Sequence, residues 1–99
     1  MKEIIDKINR TFENKLRLGI MSALMVNESI DFNSLKQYLG ATDGNLSSNI
    51  SVLEELGYIT VNKKFIGKKV NTSYTITALG KEKFEEHLKT LEMLIKGLL

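Results

Sequence analysis

The 99-residue chain has no cysteine, which excludes disulfides, thiolate metal sites and cysteine-based redox sensing. It has no proline either, so no helix interior carries that breaker. His87 is the single histidine. Without thiols and with one imidazole, carboxylates are the remaining metal ligands, a poor set for a transition metal. Neither a metal nor a cofactor is expected. Catalysis needs a converging acid, base or nucleophile, and the sequence offers no such set. His87 sits between Glu86 and Leu88 on a helical stretch and reads as solvated or interfacial. Glu82, Glu85 and Glu86 read as a charged helix face beside Lys81, Lys83 and Lys89. The seven glycines are scattered at helix ends and turns and form no phosphate loop. An enzyme is not expected. No apolar run approaches the roughly 18 to 20 residues that cross a bilayer. The N-terminal MKEIIDKINRTF mixes charged and apolar residues, unlike a signal peptide. The expectation is a cytoplasmic protein with no membrane partner.

A further lack is local. No arginine or lysine occurs between Lys36 and Lys63. Net charge is only +2, yet Lys63, Lys64, Lys68 and Lys69 crowd into Val61 to Asn71 with no acid among them. Charge is distributed, then, rather than scarce. With 42% hydrophobic and 26% charged residues, the chain has the composition of a folded globular domain. Its length suits a single domain, residues 1–99.

Apolar periodicity divides that domain. Ile4, Ile5, Ile8 and Phe12 share one face of an N-terminal helix over 1–13. Asn14 caps a second helix, KLRLGIMSALMV, in which Gly19 costs about 1 kcal/mol relative to alanine and implies the close approach of a neighbour. Ser29-Ile30-Asp31 supplies a very short strand. Residues 32–57 form two helices. In the first, capped by Asp31 or Asn33, Phe32, Leu35 and Leu39 turn inward and Gly40 ends it. In the second, capped by Thr42 or Asp43, Leu46, Ile50, Leu53 and Leu56 turn inward and Gly57 ends it. A β-hairpin over 58–77 follows, with strands at Tyr58–Val61 and Ser73–Thr77 and Gly67 in the turn. Thr77 caps a last helix over 78–99. The fold class is α+β, mostly helical: a winged helix-turn-helix with a small antiparallel sheet and a long C-terminal helix.

A helix-turn-helix followed at once by a basic hairpin suits double-stranded DNA. The second helix fits the major groove, and the lysine-bearing hairpin fits the phosphate backbone. With the Leu-Ile-Leu-Leu stripe inward, a rotation of 100° per residue presents Gly44, Ser48, Ser51 and Glu55 outward. Candidate DNA contacts on this helix are Thr42, Asn45, Ser47, Ser48, Asn49 and Ser51. Asparagine pairs with adenine, and serine serves bases or phosphates. Candidate wing contacts are Lys63, Lys64, Lys68, Lys69, Asn71 and Thr72. The bidentate guanine contact of an arginine is missing from this helix. The lysines also fit a plainer role, keeping an exposed strand edge from aggregating.

These segments resemble the small winged-helix transcriptional regulators of the MarR-like and ArsR-like kind. The matching words are NKLRLGIMSAL, FNSLKQYLGATDGNLSSNISVLEELGYI and KKFIGKKVNTSYTITALGKEKF, which together cover nearly the whole chain. The resemblance implies a dimeric DNA-binding regulator with its recognition helix at Asp43 to Leu56 and its wing at Lys63 to Thr72. Two departures accompany it. Relatives often carry a basic residue at the position of Ser48 or Asn49, and a proline in the wing near Val70 or Asn71. Their loss implies a weaker grip by the helix and a looser wing.

The last helix spaces Phe84, Leu88, Leu91, Ile95 and Leu98 as a short heptad seam. With Ile4, Ile5, Ile8 and Phe12, it offers more apolar surface than one small domain hides. A two-fold homodimer through the first and last helices is expected, with a repressor as the expected role. The alternative is a winged helix that binds a protein partner, with Glu54 and Glu55 marking a face unfavourable to DNA. Nothing in the sequence marks an effector site.

Overall fold

Capping side chains set the helix boundaries, and a computed structural model describing residues 1–97 shows each in place. Elements run α1 (Lys2–Ile5), a 3₁₀ turn (Arg10–Glu13), α2 (Lys15–Val26), β1 (Ile30–Asp31), α3 (Phe32–Leu39), α4 (Asp43–Glu55), β2 (Ile59–Ile66), β3 (Lys69–Ile76) and α5 (Ala78–Glu92), which runs on into a π-helical turn (Met93–Gly97). Asn14 Oδ1 accepts from the Leu16 and Arg17 amides at 2.9 and 3.0 Å to open α2. Asp31 opens α3, Thr42 opens α4 and Thr77 opens α5 in the same way. Such a cap stabilises a helix by about 1 kcal/mol. Between the capped helices, Gly40 adopts a left-handed φ of 59° and turns the chain from α3 into α4.

The core forms where these helices meet the sheet. Ile20, Met21 and Leu24 of α2, Leu35 of α3, and Leu46, Ile50 and Leu53 of α4 are buried against Ile59 and Tyr74 of the sheet. Strand order is β1-β3-β2, antiparallel throughout, with Ile30 opposite Tyr74 and Val61 opposite Tyr74 on the other side. Gly19 earns its place by contact: an added Cβ would lie 2.6 Å from Leu39 Cδ2, so α2 and α3 cross closely there.

Five expectations are corrected. Residues 1–13 are not one helix; α1 ends at Ile5, and the chain resumes only as the 3₁₀ turn at Arg10. Asn9 causes the restart, its side chain accepting from the Thr11 amide at 3.0 Å. The break lets Phe12 drop into the domain's own core at 2% exposure, where it meets Phe84 edge-on at 5.1 Å and tilts against Tyr58 at 5.7 Å. Phe12 and Phe84 are therefore core residues and cannot line a surface for a second chain. α5 is rotated from the expected seam: Gly80, Phe84, His87 and Thr90 face the domain, leaving Leu88 and Ile95 exposed. His87, expected to be solvated or interfacial, is only 4% exposed within the domain and lies tilted against Phe12 at 5.3 Å. Burial pushes its ring below the ordinary imidazole range, against a smaller upward pull from Glu13. Leu56 also departs from its expected place: as the C-cap of α4 it is exposed. Leu98 lies outside the described residues.

Candidate nucleic-acid interface

α4 is mounted on the core by Leu46, Ile50 and Leu53, which fixes what it presents. Gly44, Asn45, Ser47, Ser48 and Ser51 are exposed together on the first three turns, and Glu54 and Glu55 follow on the last. Thr42, half of the turn's chemistry, is committed to the cap: its Oγ1 accepts from the Asn45 amide at 3.2 Å. Ser48 Oγ donates to the Gly44 carbonyl at 2.9 Å and keeps its acceptor capacity outward.

Asn49 differs from its neighbours. Its Nδ2 donates to the Asn45 carbonyl at 2.8 Å, and its Oδ1 accepts from Arg17 Nη1 at 3.0 Å. Both ends of the amide are engaged, so Asn49 braces the helix rather than presenting a free edge to a base. Arg17 in turn donates from Nε to the Thr11 carbonyl at 2.7 Å. One guanidinium thus ties the N-terminal segment, α2 and the recognition helix together. The sequence reasoning missed it because Arg17 lies 32 positions from its partner. Lys36 is a second unforeseen cation, paired with Asp43 at 2.7 Å across the turn.

The strands of the hairpin are longer than expected. β2 runs to Ile66 and β3 starts at Lys69, so Lys63, Lys64 and Lys69 are strand residues and only Lys68 lies in the turn. The turn is two residues long, Gly67-Lys68, with Gly67 at φ 66° and Lys68 outside the left-handed region. Glycine at the first central position with no second positive φ is the pattern of a type II′ turn. Register assigns the faces. Lys63 pairs with Thr72, and Phe65 with Val70, on the face that continues Ile59, Val61 and Tyr74. Lys64 pairs with Asn71, and Ile66 with Lys69, on the opposite face. Cations therefore stand on both sides of the ribbon. No acid occurs anywhere from Leu56 to Lys81.

A cleft of about 320 Å³ joins helix to wing, lined by Asp31, Phe32, Asn33 and Ser47 on one side and Val70, Asn71, Thr72 and Tyr74 on the other. The sequence-derived candidates Ser47 and Thr72 thus meet at one place, and Asn71 borders the cleft from a strand position whose face it shares with Lys64 and Lys69. Among the described residues, no group of three or more histidine, cysteine, aspartate or glutamate side chains is placed to hold a metal. No helix among them is long and apolar enough to cross a membrane.

Two helices joined by a tight turn, a three-stranded sheet and a basic hairpin flanking the second helix define a winged helix. The chain belongs to the winged helix DNA-binding domain family, whose model matches residues 16–95. It is similar to an uncharacterized protein of Methanocaldococcus jannaschii, 33% identical over 89 residues, covering 90% of this chain and 97% of the relative. Its structure is similar to that of a transcriptional regulator homologue from Pyrococcus horikoshii OT3. That match has a TM-score of 0.84 and 35% identity, and it covers 98% of this chain and 94% of the other. YusO from Bacillus subtilis shares the fold, with a TM-score of 0.78 at 17% identity over 99% of this chain and 72% of its own. The family is one of winged-helix DNA-binding domains, and the Pyrococcus horikoshii neighbour is a transcriptional regulator homologue; this chain is a winged-helix DNA-binding protein.

Proposed function

We propose that the chain is a homodimeric, sequence-specific repressor that sets α4 in the major groove and lays its hairpin lysines on the phosphate backbone. The observation that carries this reading is the division of surface just described. α4 exposes a small, polar first half able to enter a groove closely. The adjoining ribbon carries Lys63, Lys64, Lys68 and Lys69 in an acid-free stretch. Asn45, Ser47, Ser48 and Ser51 are the base-reading candidates, and Asn71 and Thr72 line the cleft beside Ser47. Thr42 and Asn49 support the helix from its cap and its flank.

Dimerisation rests on apolar surface that the single domain leaves open. Ile5, Leu88, Met93 and Ile95 are exposed, and Ile4, Ile8, Leu91 and Leu94 are half-buried, at the end formed by the chain's two terminal segments. Closing this surface against a second copy would place two recognition helices on one duplex, reading half-sites about 34 Å apart. A dimer seated on a promoter blocks polymerase, which is the physical basis for assigning repression.

Fluorescence anisotropy on duplex DNA across a salt series tests the reading. The native chain is expected to lose affinity steeply as salt rises. Changing Lys63, Lys64, Lys68 and Lys69 to alanine should flatten the slope of log K against log salt by up to about four phosphates' worth. Absence of binding by either protein at low salt defeats the proposal. Sedimentation showing only single chains at micromolar concentration defeats its dimeric part.

A further inference from the structure

The wing ends in a way that phosphate contact does not explain. Phe65, Ile66 and Val70 surround the Gly67-Lys68 turn at 77%, 64% and 54% exposure. Edge protection does not explain them either, since protection calls for charge at a strand end rather than large apolar groups. Their placement follows the register. Phe65 and Val70 form a cross-strand pair on one face, Ile66 stands opposite Lys69 on the other, and Lys68 occupies the turn, so each face of the tip carries a large apolar group around a cationic apex. Behind it, Lys63 lies on the first face and Lys64 on the second, with Lys69 beside Ile66. From Val61, where the ribbon leaves the core, to Ile66 the strand reaches about 17 Å. A narrow blade with an apolar edge and cations on both flanks is complementary to a cleft with apolar walls and anionic rims. The DNA minor groove is such a cleft, about 6 Å wide between two rows of phosphates.

We propose that the tip of the hairpin is an apolar wedge, led by Phe65, that enters the minor groove and loosens a base step. Lys63 and Lys64 behind it hold the two phosphate rims, with Lys68 at the apex. This deepens the DNA-binding reading above and rests on it. The wedge also carries sequence preference of a kind α4 does not supply. Opening a step is easiest at flexible pyrimidine–purine steps such as TA, and hardest in stiff, narrow A-tracts. A cationic tip has the opposite preference, because the narrow groove of an A-tract concentrates negative potential. Phe65 therefore directs the wing toward deformable A·T sequence and away from rigid A·T sequence.

Three duplexes of equal length separate the outcomes: alternating T-A steps, an uninterrupted A-tract, and alternating G-C. Binding is read by anisotropy and duplex bending by end-to-end energy transfer. The native chain is expected to favour the alternating T-A duplex over the A-tract by about tenfold and to bend it. Phe65→Ala should remove both the preference and the bend while leaving the salt slope intact. Phe65→Leu should restore most of each, and circular dichroism verifies that the exposed substitution leaves the fold unchanged. Changing the four lysines to alanine should flatten the slope while keeping or raising the ratio of the T-A duplex over the A-tract. Native binding without preference or bending overturns the wedge and leaves the DNA-binding reading standing, as does an unchanged ratio in Phe65→Ala. Absence of duplex binding overturns both. Phe65-dependent binding to phosphatidylserine–phosphatidylcholine vesicles in its place would assign the tip to a membrane surface.

Discussion

The recognition helix and the wing are neighbours built on opposite terms. α4 is held from beneath by Leu46, Ile50 and Leu53, from its flank by the Arg17–Asn49 hydrogen bond, and at its start by the Thr42 cap and the Lys36–Asp43 pair. It carries no cation of its own. The hairpin from Asn62 to Val70 is exposed throughout, its strands bonded chiefly to each other, and it carries four lysines. Positional precision and electrostatic grip are thus separated. A rigid helix whose charges are all acidic, at Asp43, Glu54 and Glu55, has little affinity to offer but holds its serines at fixed places. A protruding basic ribbon has affinity to offer and less sequence reading in its lysines. The same separation explains how a DNA-binding chain manages with a net charge of only +2.

The largest test of this comparison acts where the two regions share a root. Gly80, in the first turn of α5, lies against the Tyr58 backbone between the end of α4 and the start of β2. An added Cβ would sit 2.0 Å from the Tyr58 carbonyl oxygen. That oxygen also accepts from the Thr77 amide at 3.0 Å, and Thr77 Oγ1 donates to the Gly57 carbonyl at 2.6 Å. Backbone cannot swing away as a side chain does. Gly80→Ala is therefore expected to destabilise by about 3 kcal/mol, lowering Tm by roughly 10 to 20 °C in thermal denaturation. Gly19→Ala is the contrast. Its obstacle is the flexible end of Leu39, and a helix-interior alanine regains about 1 kcal/mol, so its net effect should stay within about 1 kcal/mol of zero. Equal losses from the two substitutions would show that the root of the wing is no stiffer than a helix crossing.

Arg17→Ala comes next in size, because it removes the flank support of α4 without touching the wing. Loss of hydrogen bonds to Asn49 and the Thr11 carbonyl should cost about 1 to 2 kcal/mol in chemical denaturation. Arg17→Lys should recover little, since one ammonium cannot reproduce the paired Nε and Nη geometry. Full recovery by lysine would mean that charge, not bracing, is what Arg17 contributes.

Acid separates both regions from the opposite end of the fold. His87 is buried against Phe12, and its Nδ1 has no hydrogen-bond partner. Its folded-state pKa is lowered, so the unfolded chain binds the proton more readily. Stability is then complete above the unfolded value near 6.5 and falls as pH drops through it toward the folded value. Asp31 contributes in a lower window. Its carboxylate accepts from Ser34 Oγ at 2.5 Å, which holds its pKa below 3.8, so that contribution is lost only as pH falls below about 4. Denaturation midpoints should decline between pH 7 and 5 in the native chain and stay level over that range in His87→Leu. A decline that survives His87→Leu would place the acid sensitivity elsewhere.

Sequence reasoning reached most of this architecture because its signals are local. The caps at Asn14, Asp31, Thr42 and Thr77 are bonds to amides two or three residues on, and Gly40 and Gly67 mark backbone turns directly. What sequence concealed depends on distant segments meeting. Arg17 reaches Asn49 from another helix. Phe12 was legible as apolar but not as core, since its burial requires Asn9 to restart the chain. On α5, a heptad at Phe84, Leu88, Leu91 and Ile95 competes with the sequence Gly80, Phe84, His87 and Thr90. The second set wins because the close approach at Gly80 fixes the helix's rotation. The strand ends were missed for a different reason: lysines depress strand propensity, yet hairpin pairing carries both strands to the turn.

The smallest effect bears most directly on the comparison, because it asks whether the helix reads bases at all. Ser48 is exposed on α4, and its hydroxyl bonds only to its own helix, at Gly44. Ser48→Ala should leave stability within about 0.5 kcal/mol of the native value. On the proposed docking it removes a donor and acceptor facing the groove, so discrimination among duplexes should narrow by about 1 kcal/mol while the salt slope stays fixed. Lys64→Ala should do the opposite, reducing the slope by about one and weakening all duplexes alike. A competition assay over a randomised duplex pool, run at two salt concentrations, measures both quantities together. If Ser48→Ala shifts the slope, or Lys64→Ala the sequence preference, the helix and the wing do not divide the work in the way their structures suggest.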